Sequence, residues 1–153
     1  VNRNDLPFVY PADEPYAIGK ITPLREGKHA AIFASGVMVS RALAAAAALE
    51  KEGISARVLD VGTIKPLDRE AVIRYASGVE AIVTAEEHSV IGGLGSAVLE
   101  ALRAEAHAPV ELIGVPDSFG LSAEGYEELL AHFGLTADAV ANAARTLLRG
   151  KKK

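Results

Sequence analysis

Residues 80–98 read E-A-I-V-T-A-E-E-H-S-V-I-G-G-L-G-S-A-V, and the order of residue types in this stretch decides the fold. Glu80 to Glu86 is expected as a strand whose middle, Ile82-Val83, is apolar on consecutive positions. That is the pattern of a strand covered on both faces rather than one half exposed to water. Two carboxylates and an imidazole follow, and glycines at 92, 93 and 95 then open a helix expected over Gly92 to Ala106. A doubly covered strand leading into a helix is the repeating unit of an α/β fold with a parallel sheet and right-handed crossovers.

Working outward, the same unit recurs. His29 to Ser35 is an apolar run of strand length, broken by Gly36, and Val37 to Glu52 is an alanine-rich helix closed by Gly53. Ala44 to Ala48 there reads as helix propensity and close packing on the sheet. Ala56 to Val61 is the next strand, and after Pro66 an Asp68 cap opens a helix running to Ser77. Beyond residue 106, Val110 to Val115 is a strand stopped by Pro116-Asp117, and Ser122 to Phe133 a helix ended at Gly134. Thr136 caps a last helix to about Leu148, with Leu135 and Val140 placed as a hydrophobic staple. Upstream, Gly19 to Leu24 is a short strand that Pro23 confines to a sheet edge, and Arg25 to Lys28 is a turn. Residues 1–18, with Pro7, Pro11 and Pro15, read as an extended linker or arm. The domain then covers 19–148, and 149–153 form a basic tail, solvated and frayed.

Composition narrows the function. The 153 residues are 50% hydrophobic, enough for one compact domain, and contain no cysteine, which removes thiol nucleophiles, disulfides and thiolate metal sites and fits a reducing, cytoplasmic setting. With 16 basic against 20 acidic residues, no Trp and 5% aromatics, the chain offers neither the charge nor the stacking surface that nucleic acid needs. Its longest apolar stretch, near Ala42 to Leu49, is too short to span a bilayer.

In an open α/β sheet, ligands and partners meet the loops after the carboxyl ends of the strands. The candidates are therefore Ser35 and Gly36 after one strand, and Glu86, Glu87, His88, Gly92, Gly93 and Gly95 after another, as an interface or an anion-binding site. Thr63 to Lys65 and Pro116 to Leu121 end the other two strands. Glycines at a helix start expose N–H groups that favour an anion, and a Glu beside a His can tune a base. Equally, those glycines let a helix pack close to the sheet while Glu87 and His88 serve an interface. The run is not a dinucleotide fingerprint: Gly93-Leu94-Gly95 lacks the third glycine and lies six residues beyond Glu86. No G-x-S-x-G, H-E-x-x-H or G-x-x-x-x-G-K-[ST] occurs. Adjacent Glu86, Glu87 and His88 in extended chain point to alternating sides and cannot share one metal ion. His29 at a strand start, and His107 and His132 at helix ends, read as structural. No catalytic, cofactor-binding or metal-binding residue is assigned.

T-A-E-E-H-S-V-I-G-G-L-G-S-A-V (84–98), with D-V-G-T-I-K-P-L-D (60–68) and F-G-L-T-A (133–137), resembles the C-terminal domain of transketolases. The resemblance runs from about Asp13 to Leu148 and is closest to split transketolases, whose C-terminal half is a separate subunit; the E-E-H form favours that branch. Related domains close the 1-deoxyxylulose-phosphate synthases and the beta subunits of 2-oxo-acid dehydrogenases. The resemblance implies a three-layer α/β/α domain with a five-stranded mixed sheet of order 1-3-2-4-5, strand 1 antiparallel. The strand order then reverses between the strands ending at Ser35 and Glu86, so the two candidate loops flank one crevice. It also implies that thiamine diphosphate and Mg are held by other domains, through a G-D-G…N-N motif and a catalytic glutamate. Neither G-D-G nor N-N occurs in this chain. The expected role is non-catalytic, packing on the pyrimidine-binding domain, alongside the diphosphate-binding domain, and contributing to a homodimer interface. The rival expectations are a free-standing phosphate- or nucleotide-binding module, and the equivalent domain of a 2-oxo-acid dehydrogenase beta subunit or a 1-deoxyxylulose-phosphate synthase.

Overall fold

The structure, a computed structural model, describes residues 6–11, 13, 15–121 and 125–150. Its elements run β1 (Thr22–Arg25), β2 (Ala30–Ala34), α1 (Met38–Glu50), β3 (Ala56–Asp60), α2 (Arg69–Ala76), β4 (Ala81–Ser89), α3 (Leu94–Leu102), β5 (Val110–Val115), α4 (Tyr126–His132) and α5 (Ala137–Gly150). The five strands form one sheet of order β1-β3-β2-β4-β5. β1 runs antiparallel to β3, and the other pairings are parallel, with Ala30 opposite both Ala56 and Ala81. The expected order and the antiparallel edge strand are both present.

Consecutive apolar residues on the strands face opposite cores. Ile32, Val58 and Val83 pack with α1 and α5 on one face, where Met38, Ala42, Ala45, Ala46 and Leu49 form the inward stripe of α1. Phe33, Leu59 and Ile82 pack on the other face with Val72 of α2 and Leu94, Val98 and Leu102 of α3. Small alanines at Ala42, Ala45 and Ala46 let α1 lie close to the sheet, as the alanine run suggested. Asp68 caps α2 by accepting from the Ala71 N–H at 3.2 Å, and Thr136 caps α5 by accepting from the Ala139 N–H at 3.1 Å. Leu135 and Val140 are both buried in the first core.

Four expectations change. β4 extends past Glu86 to Ser89, because its second half continues along β5 after an irregularity between Ala85 and Ser89, with Ser89 opposite Val115. Glu87 and His88 are therefore strand residues rather than loop. α3 spans Leu94 to Leu102 instead of Gly92 to Ala106: a turn in which Glu105 N–H donates to Leu102 O ends it, and His107 lies in the loop before β5. α4 begins at Tyr126 after an extended Gly125; Ser122 to Glu124, placed in that helix from sequence, lie outside the described residues. α5 includes Arg149 and Gly150, while Lys151 to Lys153 lie outside the described residues.

Candidate functional site

β2 and β4 are neighbours, yet α1 leaves β2 toward one face and α3 leaves β4 toward the other. Chain departing in opposite directions opens a crevice at the carboxyl ends. A cleft of about 380 Å³ lies there, and Ser35, Gly36, Glu86, Glu87, His88, Gly92 and Gly93 all line it. Leu6, Val37 and Ile64 complete its wall. Gly95, the remaining sequence candidate, is buried in the first turn of α3.

Glu86 is 2% exposed, and its carboxylate faces the amino end of α3. Its Oε2 accepts from the Leu94 N–H at 2.6 Å and its Oε1 from the Gly95 N–H at 2.9 Å. A helix start carries unsatisfied donors and the positive end of the helix dipole, and a buried carboxylate answers both. The neighbouring donors are also used: Ile91 N–H donates to Ser89 Oγ at 3.1 Å and Gly92 N–H to Ser96 Oγ at 3.0 Å. The Gly92 and Gly95 donors that the glycine run offered to an external phosphate thus serve the chain's own groups.

The glycines follow from the same arrangement. A Cβ on Gly93 would overlap Glu86 Oε2 and come within 2.6 Å of the Ser89 carbonyl oxygen; one on Gly95 would lie 2.5 Å from Leu112 Cδ2 and 2.9 Å from Thr84 Oγ1. Backbone must approach closely at both positions for the carboxylate to fit beneath the helix. Gly114 plays a related part on β5, where a Cβ would lie 2.8 Å from the His88 carbonyl oxygen.

Glu87 and His88 are exposed. His88 Nδ1 lies 2.9 Å from the Ser89 carbonyl oxygen and 3.9 Å from Glu86 Oε2. Both neighbours are acceptors, which favours the proton of a neutral ring on Nδ1 and leaves Nε2 as the acceptor nitrogen.

A second cleft of about 300 Å³ adjoins the first through Leu6, Gly36 and Val37 and includes Asp60 at the end of β3. The segment before β1 runs along this edge. Tyr10 Oη donates to Asp60, Tyr16 Oη donates to the Gly62 carbonyl oxygen at 3.3 Å, and Gly19 N–H donates to Thr63 Oγ1 at 3.1 Å. Burial raises the Asp60 carboxyl above its ordinary value, and the Tyr10 hydroxyl partly opposes that rise. Sequence reasoning missed Asp60 and the two tyrosines. Asp60's place at a strand's carboxyl end was an available signal, whereas its pairing with Tyr10 spans 50 residues and left none.

The other histidines are accounted for locally. His29 Nδ1 accepts from the Ser55 N–H at 2.8 Å, His107 Nδ1 lies 2.8 Å from the Ala108 carbonyl oxygen, and the His132 ring stands edge-on to Phe133. Among the described residues no three of His, Asp and Glu group to hold a metal ion, and no helix is long and apolar enough to cross a membrane. Among the described residues, neither cleft at this end is lined by a Lys or Arg side chain. A diphosphate with its magnesium ion needs cationic or free N–H donors and a carboxylate set around the metal, and these residues do not fit it.

Large apolar side chains exposed to solvent are Leu6, Phe8, Tyr16, Ile18, Ile64, Ile91, Phe119 and Leu121. All lie before β1 or in the segments that follow β3, β4 and β5. Such a concentration on one face marks an interaction surface.

Residues 19–140 match the family described as "Transketolase, C-terminal domain". The chain is 45% identical over 140 residues to the 6-deoxy-6-sulfo-D-fructose transketolase subunit SqwH of Clostridium sp. (strain MSTE9), covering 91% of this chain and 43% of that protein. It is 44% identical over 131 residues to the 1-deoxy-D-xylulose-5-phosphate synthase of Heliobacterium modesticaldum (strain ATCC 51547 / Ice1), covering 85% and 20%. Among solved structures, a split gene transketolase described as an inactive beta4 tetramer superposes with a TM-score of 0.90 at 48% identity, covering 96% of this chain and 48% of that one. The chain spans less than half the length of each of these proteins.

Proposed function

Since the chain belongs to the transketolase C-terminal domain family, we propose that it is the assembly domain of a thiamine-diphosphate-dependent transketolase of the cytoplasm. In the whole enzyme a two-carbon ketol unit passes between sugar phosphates. This chain does not touch the reacting atoms; it seats its carboxyl-end face on the pyrimidine-binding domain and supports the dimer in which the active sites form. The observation that carries the reading is the confinement of exposed large apolar side chains to that face and the segment before β1. The split-transketolase relatives, which are subunits or assemble from like chains by their own descriptions, support it.

The test uses the assembled enzyme. Ile91→Asp places a charge among the exposed apolar residues, and His88→Ala removes one polar contact, expected to weaken association by about 1–3 kcal/mol. Specific activity should fall on dilution and recover at high protein concentration, because mass action restores the complex, with sedimentation following the same curve. A defect that persists in fully assembled Ile91→Asp and His88→Ala enzymes would overturn the reading in favour of a catalytic or substrate-binding face. Calorimetric titration of this chain alone with thiamine diphosphate and magnesium should give no saturable heat.

A further inference from the structure

We infer that the segment before β1 is a strap held in a seat made by Asp60, Gly62 and Thr63, and that its seating assembles the apolar docking face. The second half of this statement rests on the docking proposal above; the seat itself does not. The strap reaches β1 through Gly19, which turns the chain with a φ of +79°. Before that it crosses the carboxyl end of β3, where bonds between residues 44 to 50 positions apart tie it down. Gly19 N–H donates to Thr63 Oγ1, Tyr16 Oη to the Gly62 carbonyl oxygen, and Tyr10 Oη to Asp60. The seat is shaped for these groups: a Cβ on Gly62 would come within 3.2 Å of both Cε2 and Oη of Tyr16. Burial raises the Asp60 carboxyl, and the Tyr10 hydroxyl opposes that rise, as a bond made to the ionised form must.

Hydrogen bonds carry more of this hold than apolar burial does. Val9 and Tyr10 apart, the described residues between 6 and 18 are exposed. Val9 packs against the core formed with α1 and α5, yet Leu6, Pro7 and Val9 still border a cleft of about 300 Å³ together with Val39 and Asp60. A segment with little buried apolar surface opens at a lower cost than the sheet beneath it, so the strap can leave its seat while the domain stays folded. What it would take away is half of the docking face. Leu6, Phe8, Tyr16 and Ile18 are on the strap, whereas Ile64, Ile91, Phe119 and Leu121 follow β3, β4 and β5. The two sets meet where Leu6 and Ile64 line one cleft. With the strap loose, its ordering would be subtracted from the free energy of association.

The experiment is limited proteolysis of this chain by chymotrypsin, on the native sequence and on Tyr10→Phe, Asp60→Ala and Asp60→Asn. Cleavage after Phe8 follows the population of open strap, and cleavage after Phe33, buried in β2, follows unfolding of the sheet. Tyr10→Phe and Asp60→Ala should each speed the first cut about five-fold, the equivalent of one lost hydrogen bond, and leave the second unchanged. Asp60→Asn keeps an acceptor for Tyr10 and should be cut at the native rate. A Phe8 cut indifferent to Tyr10→Phe and Asp60→Ala would overturn the seat. So would an equal rise at Phe33, which would make Asp60 a support of the whole fold, or an Asp60→Asn chain cut as fast as Asp60→Ala. In the assembled enzyme, Tyr10→Phe should raise the concentration of half-association, read by sedimentation, by about five-fold. The readings fail separately. If Ile91→Asp breaks the assembly and Tyr10→Phe frees the strap without weakening association, the coupling of strap to face falls and the docking proposal stands. If Ile91→Asp leaves the enzyme intact on dilution, the docking proposal falls and the coupling with it, and proteolysis alone decides the seat.

Discussion

At the amino ends of the strands, His29, Glu52, Glu80, Arg145 and Arg149 line a cleft of about 380 Å³; at the carboxyl ends the cleft holding Glu86, Glu87 and His88 has the same volume. In the first, Glu52 and His29 have partners within the chain. Arg145 donates to Glu52 at 3.0 and 2.5 Å and to Asn142 Oδ1 at 2.6 Å, and His29 is held by the Ser55 N–H. Among the described residues, none of the exposed large apolar side chains lies there. The second satisfies its buried carboxylate, but among the described residues Glu87 has no ion-pair partner and a set of apolar side chains is left in water. Equal volume therefore does not mean equal purpose: one end pairs its main charges among its own residues, and the other is the face proposed above to receive a partner.

The largest expected effect separates glycines required by packing from those required by conformation. Gly93→Val, at the carboxyl end, drives a side chain into Glu86 and the Ser89 carbonyl and should cost more than about 2 kcal/mol. Gly53, at the amino end, has a φ of +77° and open space around it, so Gly53→Ala should cost only about 1 kcal/mol. Thermal unfolding of the two variants checks the contrast. Equal losses would show that Gly93 is not pressed against the carboxylate.

Next comes the carboxylate itself. Glu86→Gln keeps the shape but replaces two charge-assisted bonds at a helix start with one neutral bond and one opposed pair of donors, an expected loss of about 1–3 kcal/mol. Urea unfolding should show a lower midpoint at an unchanged slope. A midpoint equal to the native chain's would mean that α3 does not depend on this cap.

Which parts of this were legible beforehand follows from how local each signal is. Ile82-Val83, the alanines of α1 and the Asp68 and Thr136 caps act within a few residues, so strands, helices and most of their ends could be read directly. The sheet order came from a resemblance carried by residues 84–98 and 60–68, and with it the meeting of Ser35 and Glu86. The role of Glu86 was not legible: its bonds to residues 94 and 95 depend on how the glycines fold back, and the same glycines fit an anion site equally well in sequence. The overrun of β4 depends on Gly114, some 25 residues later, admitting the His88 carbonyl. Tyr10 and Asp60 meet only because the segment before β1 crosses the carboxyl end of β3, the neighbour of edge strand β1.

A third, smaller effect concerns that edge. Asp60 has a raised carboxyl pKa in the folded chain, chiefly from burial. A raised folded value means the folded state holds the proton more tightly than the unfolded one. Stability is therefore lost as pH rises from the ordinary value of 3.8 through the folded value, and the loss is complete above it. Asp60→Asn removes this loss while its Oδ1 can still accept from Tyr10. The variant's melting temperature should exceed the native chain's at pH 7, with the difference shrinking toward zero below pH about 4. A difference constant with pH would show that Asp60 is not the group responsible.

The smallest effect sets one glutamate from each end against the other. Arg145 holds the Glu52 carboxyl below its ordinary value of 4.5, through their hydrogen bonds first. A lowered folded value gives stability that is present above the unfolded value and is lost as pH falls through the folded one. The pair is exposed to solvent, so its contribution is small and screened by salt. Glu52→Gln should lower the melting temperature slightly at pH 7 in dilute buffer, and the difference should vanish at pH 3 or in molar salt. Glu87→Gln should leave the isolated chain's melting temperature unchanged in all three conditions, because no ion pair among the described residues involves it. Differential scanning calorimetry of the two variants reads this directly. A Glu87→Gln loss that follows the same pH and salt course as Glu52→Gln would reveal an internal partner for Glu87, and the contrast between the closed end and the open end would disappear.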